Sequence, residues 1–439
     1  MSTFVAHRDA AVRALVADGL IGTEQPVVGL IDTAAVKAQV EALQNAFDAI
    51  PHTNHAVAAK AVTVVPLLRY LADLGMGCEV ASPGEFAMAE AAGFDPATIV
   101  VDSPAKTLPE IEHALEVGAA MNIDNYQEMD RLDELVSARE AAGNPTDSAI
   151  GVRVNPVVGT GSIAAMSTAT TTTKFGIAII DDATRQELVD AIAARPWITQ
   201  LHVHSGSQGV PLELAAEGIR RILALAEDVE QAVGRQQITR VDIGGGLTVN
   251  FDSDDVTPSY HDYASLLKIE VPDLFSGKYT VITEFGRSLL AKAGSIATKI
   301  EYTKDVGERR FAIGHAGAQV ATRTVFMPDH WPLRVSAYTP EGTPSDAPVT
   351  TQDLAGPCCF TGDMIGRDYE LPEFEKDGIA VIHDTGAYYW STPFSYNALP
   401  RTAVYAYTVD EAGAVHWTRI RKQQILEELV AEAGEDVRL

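Results

Sequence analysis

From Pro26 to about residue 300 the sequence alternates short β-rich runs with amphipathic stretches, and no other feature constrains the fold as tightly. Val27–Ile31 reads as a strand, and Ala34–Ile50 as a helix with apolar residues at helical spacing. Further strands are expected at Thr98–Val101, Ala120–Ile123, Ile150–Val154, Leu201–His204, Arg240–Ile243 and Val281–Glu284. Helices such as Asn125–Ala142 and Leu212–Val233 lie between them. Parallel strands need crossovers of a dozen or more residues, which these helices supply. About eight strand-helix units over ~250 residues predict an α/β fold of the (β/α)8 barrel type.

After about Leu290 the texture changes. Ile296–Tyr302, Arg310–Ile313, Leu333–Ala337, Ile379–His383 and Thr402–Thr408 are β-like with little helix between, which predicts a second, mostly antiparallel β domain. The barrel is expected over residues 26–290, with 1–25 and 291–439 in the β domain. The stretch Gly159–Thr173, rich in glycine, serine and threonine, interrupts the barrel pattern, and loops of that length are usually functional or mobile.

The formal net charge is −27, spread along the chain, which disfavours nucleic acid and anionic membranes as partners. No apolar run reaches the ~20 residues of a membrane-spanning helix. Cys78, Cys358 and Cys359 cannot make a disulfide framework. The expected location is the cytoplasm.

Active sites of such barrels lie at the C-terminal ends of the strands, and the unusual residues fall there. Lys60, between Ala59 and Ala61, ends a strand-like run. It reads either as a snorkelling side chain or as a lysine tuned for Schiff-base chemistry. Val241-Asp242-Ile243 runs into Gly244-Gly245-Gly246, either a flexible turn or a set of amides able to curl round a phosphate. His202 and His204 share a face of their strand. No third zinc ligand is evident, so a core histidine beside a ring-stacking one is preferred and no metal is expected. Glu284 and Arg287 close the last strand.

Taken together and in order, these motifs resemble the fold type III pyridoxal 5'-phosphate (PLP) enzymes of the diaminopimelate, ornithine and arginine decarboxylase group. The resemblance runs from about Pro26 to Arg401 through AVAAKA, GCEVASPGE, RVNP, KFG, HVHSGSQ, DIGGG, EFGRS, GPCCFTGD and GAY. It implies that Lys60 binds PLP covalently, that Glu284 pairs with the pyridine nitrogen and that His204 stacks on the ring. It implies that Ser207, Gly244, Gly245, Gly246, Gly286, Arg287 and Tyr388 hold the cofactor and its phosphate. Cys359 matches the residue that returns a proton after decarboxylation, and Arg323, Phe360 and Asp363 fall at substrate-binding positions. The resemblance further implies a homodimer whose β domains complete each other's active sites.

Three residues depart from the family pattern. Phe285 replaces a proline, the motif around Arg323 is only partly kept, and Phe360 replaces an acid that contacts the substrate's distal ammonium. On that last ground the expected substrate is an acidic or neutral polar amino acid, with diaminopimelate itself as the alternative. A racemase or epimerase on the same barrel, or a PLP-binding protein without catalysis, is the other reading. Glu284 at the pyridine position favours decarboxylation over racemisation, and retention of Lys60 and Cys359 favours an enzyme.

Overall fold

The computed structural model describes residues 3–434, which divide into two compact units. Gln39–Val249 and Thr257–Ser288 form one; residues 3–38, Asn250–Val256 and residues 289–434 form the other.

The strands are β1 (Val27–Asp32), β2 (Thr53–Ala58), β3 (Gly77–Val80), β4 (Ile99–Val101), β5 (Ala120–Ile123), β6 (Ile150–Asn155), β7 (Ile177–Ala178), β8 (Ile198–His202), β9 (Arg240–Asp242) and β10 (Thr280–Phe285). Within the first unit they pair in the order β5-β4-β3-β2-β10-β9-β8-β6, and a β5–β6 pairing closes the ring. The ladders are parallel, and β7 adds a two-residue flap to the end of β6. This is the expected eight-stranded barrel. Residues of β3, β4, β5 and β6 are buried throughout, as strands covered on both faces must be. Local chemistry starts the outer helices where the strands need them. Ser82 caps Pro83–Ala92 through the Glu85 amide, and Asn125 caps Tyr126–Ala141 through that of Glu128. Each short cap leaves the strand end before it facing the mouth of the barrel.

The second unit is built on a nine-stranded sheet. It adds β11 (Gly294–Val306), β12 (Arg309–Gly314), β13 (Val335–Tyr338), β14 (Val349–Ala355), β15 (Met364–Pro372), β16 (Ile379–Ile382), β17 (Ala403–Val409) and β18 (Val415–Arg421). Here the expected boundary needs correction. The Val27–Ile31 run does form a strand, but β1 lies between β11, antiparallel, and β17, parallel, so residues up to Ala38 leave the barrel unit. All six residues of β1 are buried, and a buried apolar strand carries the same pattern in either sheet.

His55, buried in β2, shows how the barrel constrains its titratable groups. Its Nδ1 lies 2.9 Å from Thr283 Oγ1 and its ring meets Phe47 edge-on at 5.6 Å. Burial lowers its pKa to about 4, so the native ring stays neutral where the unfolded one, near 6.5, takes up a proton. The resulting stability is present above pH 6.5 and is lost as pH falls toward 4. A His55→Gln variant should therefore lose less stability over that window, by on the order of 3 kcal/mol. Urea unfolding at several pH values tests this, and parallel profiles for the two proteins would refute it.

Candidate active site

The C-terminal ends of the barrel strands bring charged residues from seven places in the chain to one mouth. Lys60 sits in the single turn Ala59–Ala61 directly after β2. Its Nζ donates to both oxygens of Glu79 on β3, at 2.7 and 2.6 Å. Glu79 is fully buried while Lys60 is half-exposed. Burial pushes the Glu79 carboxyl up to about 7, the lysine opposing and Glu284 adding to the rise.

Behind this pair lies a second group. Arg153 of β6 donates to Asp102 Oδ2 at 2.7 Å, and Asp102 Oδ1 is 3.3 Å from Nδ1 of the buried His202. His202 Nε2 is 3.5 Å from Glu284 Oε2, whereas Glu284 Oε1 is buried without a hydrogen-bond partner. Asp102, His202 and Glu284 could between them offer ligand atoms to a cation, but Arg153 already supplies positive charge to Asp102. We read the group as a charge network.

His204, just past β8, is half-buried, and its Nδ1 accepts the Gly245 amide at 3.1 Å. Burial lowers its pKa to about 3, with Arg153 and Lys60 adding to the fall, so the ring is a neutral, fixed plate. The three glycines after β9 form a cradle. Gly244 and Gly246 have φ of 67° and 99°, and a Cβ on Gly245 or Gly246 would strike the carbonyl of Glu284 or Gly206. Ser207 is held nearby by its amide, which donates to Met166 O at 2.9 Å. Gly286 and the buried Arg287 follow β10 directly. The Gly159–Thr173 stretch folds back on the same rim: Thr168 N donates to Ser205 O at 3.1 Å, and the Thr168 hydroxyl to His204 O.

The orphaned Glu284 oxygen, the glycine cradle, the neutral His204 plate and the lysine at the mouth fit a phosphorylated pyridine aldehyde bound as a Schiff base. Residues 33–291 match the model of the pyridoxal-dependent decarboxylase family, pyridoxal binding domain. The chain belongs to this family of PLP-dependent decarboxylases. Among its relatives is a diaminopimelate decarboxylase of Pseudomonas aeruginosa, 33% identical over 91% of this chain and 90% of that one. Another, from Aquifex aeolicus, is 30% identical over 84% and 83%. The crystal structure of diaminopimelate decarboxylase from Helicobacter pylori complexed with L-lysine superposes with a TM-score of 0.81. It is 26% identical, over 96% of this chain and all of that one.

These relatives overturn one expectation for this PLP-dependent decarboxylase. Phe360 does not mark a preference for acidic or neutral polar amino acids, because relatives 30–33% identical over 84–91% of this chain are diaminopimelate decarboxylases. Phe360 is accounted for by packing. Its ring stacks on Phe326 at 5.7 Å and meets Tyr396 edge-on at 5.5 Å, with Phe394 completing a cluster of four rings.

The remaining expected site residues lie in the β unit. Cys359 is exposed and its amide donates to Asn397 Oδ1 at 2.7 Å, whereas Cys358 is buried and its thiol is pushed up to about 11 by burial and by Asp363. Asp363 departs from its expected place on the substrate. It is buried, and its two oxygens accept the Ala318 and Cys358 amides at 2.6 and 2.5 Å, so the carboxylate is spent on fixing the cysteine loop. Arg323 stacks its guanidinium 4.8 Å from the Tyr388 ring and 5.3 Å from that of Trp331, and its Nη1 is buried without a hydrogen-bond partner. Tyr388 has φ of 68°, a strained backbone for a residue with a side chain.

Glu79, Asp102, Arg153 and the role of His202 were missed from sequence. A usable signal existed: each is charged or titratable inside an otherwise apolar strand or at its end, and such groups are rarely buried unless paired.

Proposed function

We propose that this chain removes one carboxylate from diaminopimelate, leaving lysine. The observation that supports this is the coverage of about nine-tenths of both chains by a relative of that activity at 33% identity. When bound, PLP supplies an electron sink for the bond that breaks.

The roles of the chain's own residues follow from the geometry. Glu79 takes the proton that Lys60 Nζ must lose before it can attack a carbonyl carbon, and returns it afterwards. Glu284 Oε1 would accept a pyridine N–H, and His204 would offer the ring a flat, uncharged face. The amides of Gly244, Gly245 and Gly246, with Ser207, Gly286 and Arg287, would receive the phosphate end, and the family resemblance gives Tyr388 the same role. Arg323 takes the carboxylate at the substrate's far end, a group that ornithine and lysine lack. Cys359 returns the proton to the substrate carbon. The family resemblance supports a homodimer in which Cys359 serves the partner's site, and the absence of a disulfide framework supports a cytoplasmic location.

To test the reading, the full-length protein with PLP is given diaminopimelate, lysine, ornithine and glutamate separately, and carbon dioxide release is followed. The expected result is the highest kcat/KM for diaminopimelate, with lysine as product. A higher value for any other substrate overturns the proposal.

A further inference from the structure

We infer that His202 is a positioning residue: wedged as a doubly protonated ring between Asp102 and Glu284, it holds Glu284 ionised with Oε1 turned to the cofactor's pyridine nitrogen. The inference rests on the cofactor assignment and is independent of which amino acid is the substrate.

The geometry carries it. His202 is fully buried in β8, and each ring nitrogen faces a carboxylate oxygen, at 3.3 and 3.5 Å. Neither nitrogen meets hydrogen-bond geometry with any described group, so what it faces is the charge of the two carboxylates. A neutral imidazole has one N–H, so one nitrogen would point its lone pair at an anion. Only the doubly protonated ring serves both sides. Asp102 cannot swing away, because Arg153 holds its other oxygen. Glu284 has one oxygen toward His202 and the other without a hydrogen-bond partner, which is the arrangement a pyridine N–H requires.

The surrounding charges agree. Burial opposes charge on His202, but Asp102, Glu284 and Asp242 together raise its pKa well above the ordinary value. Burial likewise opposes charge on Glu284, but His202 and then Lys60 keep its carboxyl low, against Asp102. Asp242 faces the same space from β9. Burial and Glu284 raise its pKa well above the usual range, while one of its oxygens accepts the Gly244 amide at 2.9 Å. Glu79, Arg153 and His204 complete the groups around the network. Without the imidazolium, Glu284 would sit between Asp102 and Asp242 with only the more distant lysine against its burial, and it would take up a proton. A neutral glutamic acid donates to a pyridine nitrogen where an ionised one accepts from it, so the ring would lose its proton.

The test is nitrogen NMR of the full-length protein carrying 15N-imidazole histidine, with and without PLP. The resonances of His202 are assigned by their loss in His202→Gln or, should that variant not fold, by their displacement in Glu284→Gln. The expected result is a ring with both nitrogens still protonated well above the ordinary transition near 6.5. A His202 ring that is neutral at pH 7 overturns the inference. In His202→Gln, kcat should fall about 10²-fold with KM changed less than about threefold, the magnitude of losing one preorganised electrostatic contact. The visible band of the bound cofactor should also become pH-dependent where that of the wild type is constant. A folded variant with unchanged kcat and an unchanged band overturns it equally.

Discussion

Lys60→Ala is expected to lower turnover by about 10⁴-fold or more, because it removes both the covalent anchor of the cofactor and the amine that exchanges with substrate. The same change leaves Glu79 fully buried without its closest cation. A carboxyl already raised to about 7 then stays protonated, so the loss of activity is not accompanied by collapse of the barrel. Lys60→Arg separates the two effects. It retains a positive charge for Glu79 but cannot form the covalent bond, and it should be as inactive as the alanine variant. Borohydride treatment of the wild-type holoenzyme followed by mass spectrometry should place a pyridoxyl group on Lys60. Label on another lysine, or activity within tenfold of wild type in either variant, would refute the assignment.

Cys359→Ala should slow turnover by about 10²–10⁴-fold, the usual range for loss of a positioned general acid. Cys358→Ala should leave kcat near wild type, since that thiol is buried with Sγ 3.8 Å from Gln319 Oε1, and its loss should appear instead as roughly 1 kcal/mol of stability. The two neighbours thus separate chemistry from packing within one loop. Mixing inactive Lys60→Ala and Cys359→Ala chains should restore partial activity, because one of the two sites in a mixed dimer would contain both native residues. No recovery, with subunit exchange demonstrated, would show that each site is built from a single chain. Equal damage from Cys358→Ala would reverse the assignment of the acid.

The barrel was legible because its signal is periodic and local: strand, helix, strand, with the glycine triplet and Lys60 at strand ends. What escaped was set by partners distant in sequence. β1 reads as a strand from its own residues, but nothing within them says that it pairs with Ala403–Val409 rather than with a barrel neighbour. Glu79, Asp102 and Arg153 read as ordinary charges until the barrel closes and each becomes a buried ion with a named counter-ion. Asp363 and Phe360 were both read through the substrate. The structure shows a carboxylate taken up by two amides and a ring packed on two others within a four-ring cluster, contacts that depend on Ala318, Phe326, Phe394 and Tyr396 coming together.

The placement of β1 also bears on the order in which the chain is made. Val28 is registered with Ala403, and Leu30 with Tyr405, so the centre of the β sheet joins strands that leave the ribosome far apart in time. The barrel segment is interrupted only by Asn250–Val256 and is finished at Ser288, long before β17 exists. Because non-local pairing must wait for its partner, while domains tend to fold as they emerge, the barrel can close during translation. Through that interval β1 can pair along one edge with β11, made soon after the barrel, while its other edge stays bare until β17 emerges, a segment for chaperones to shield.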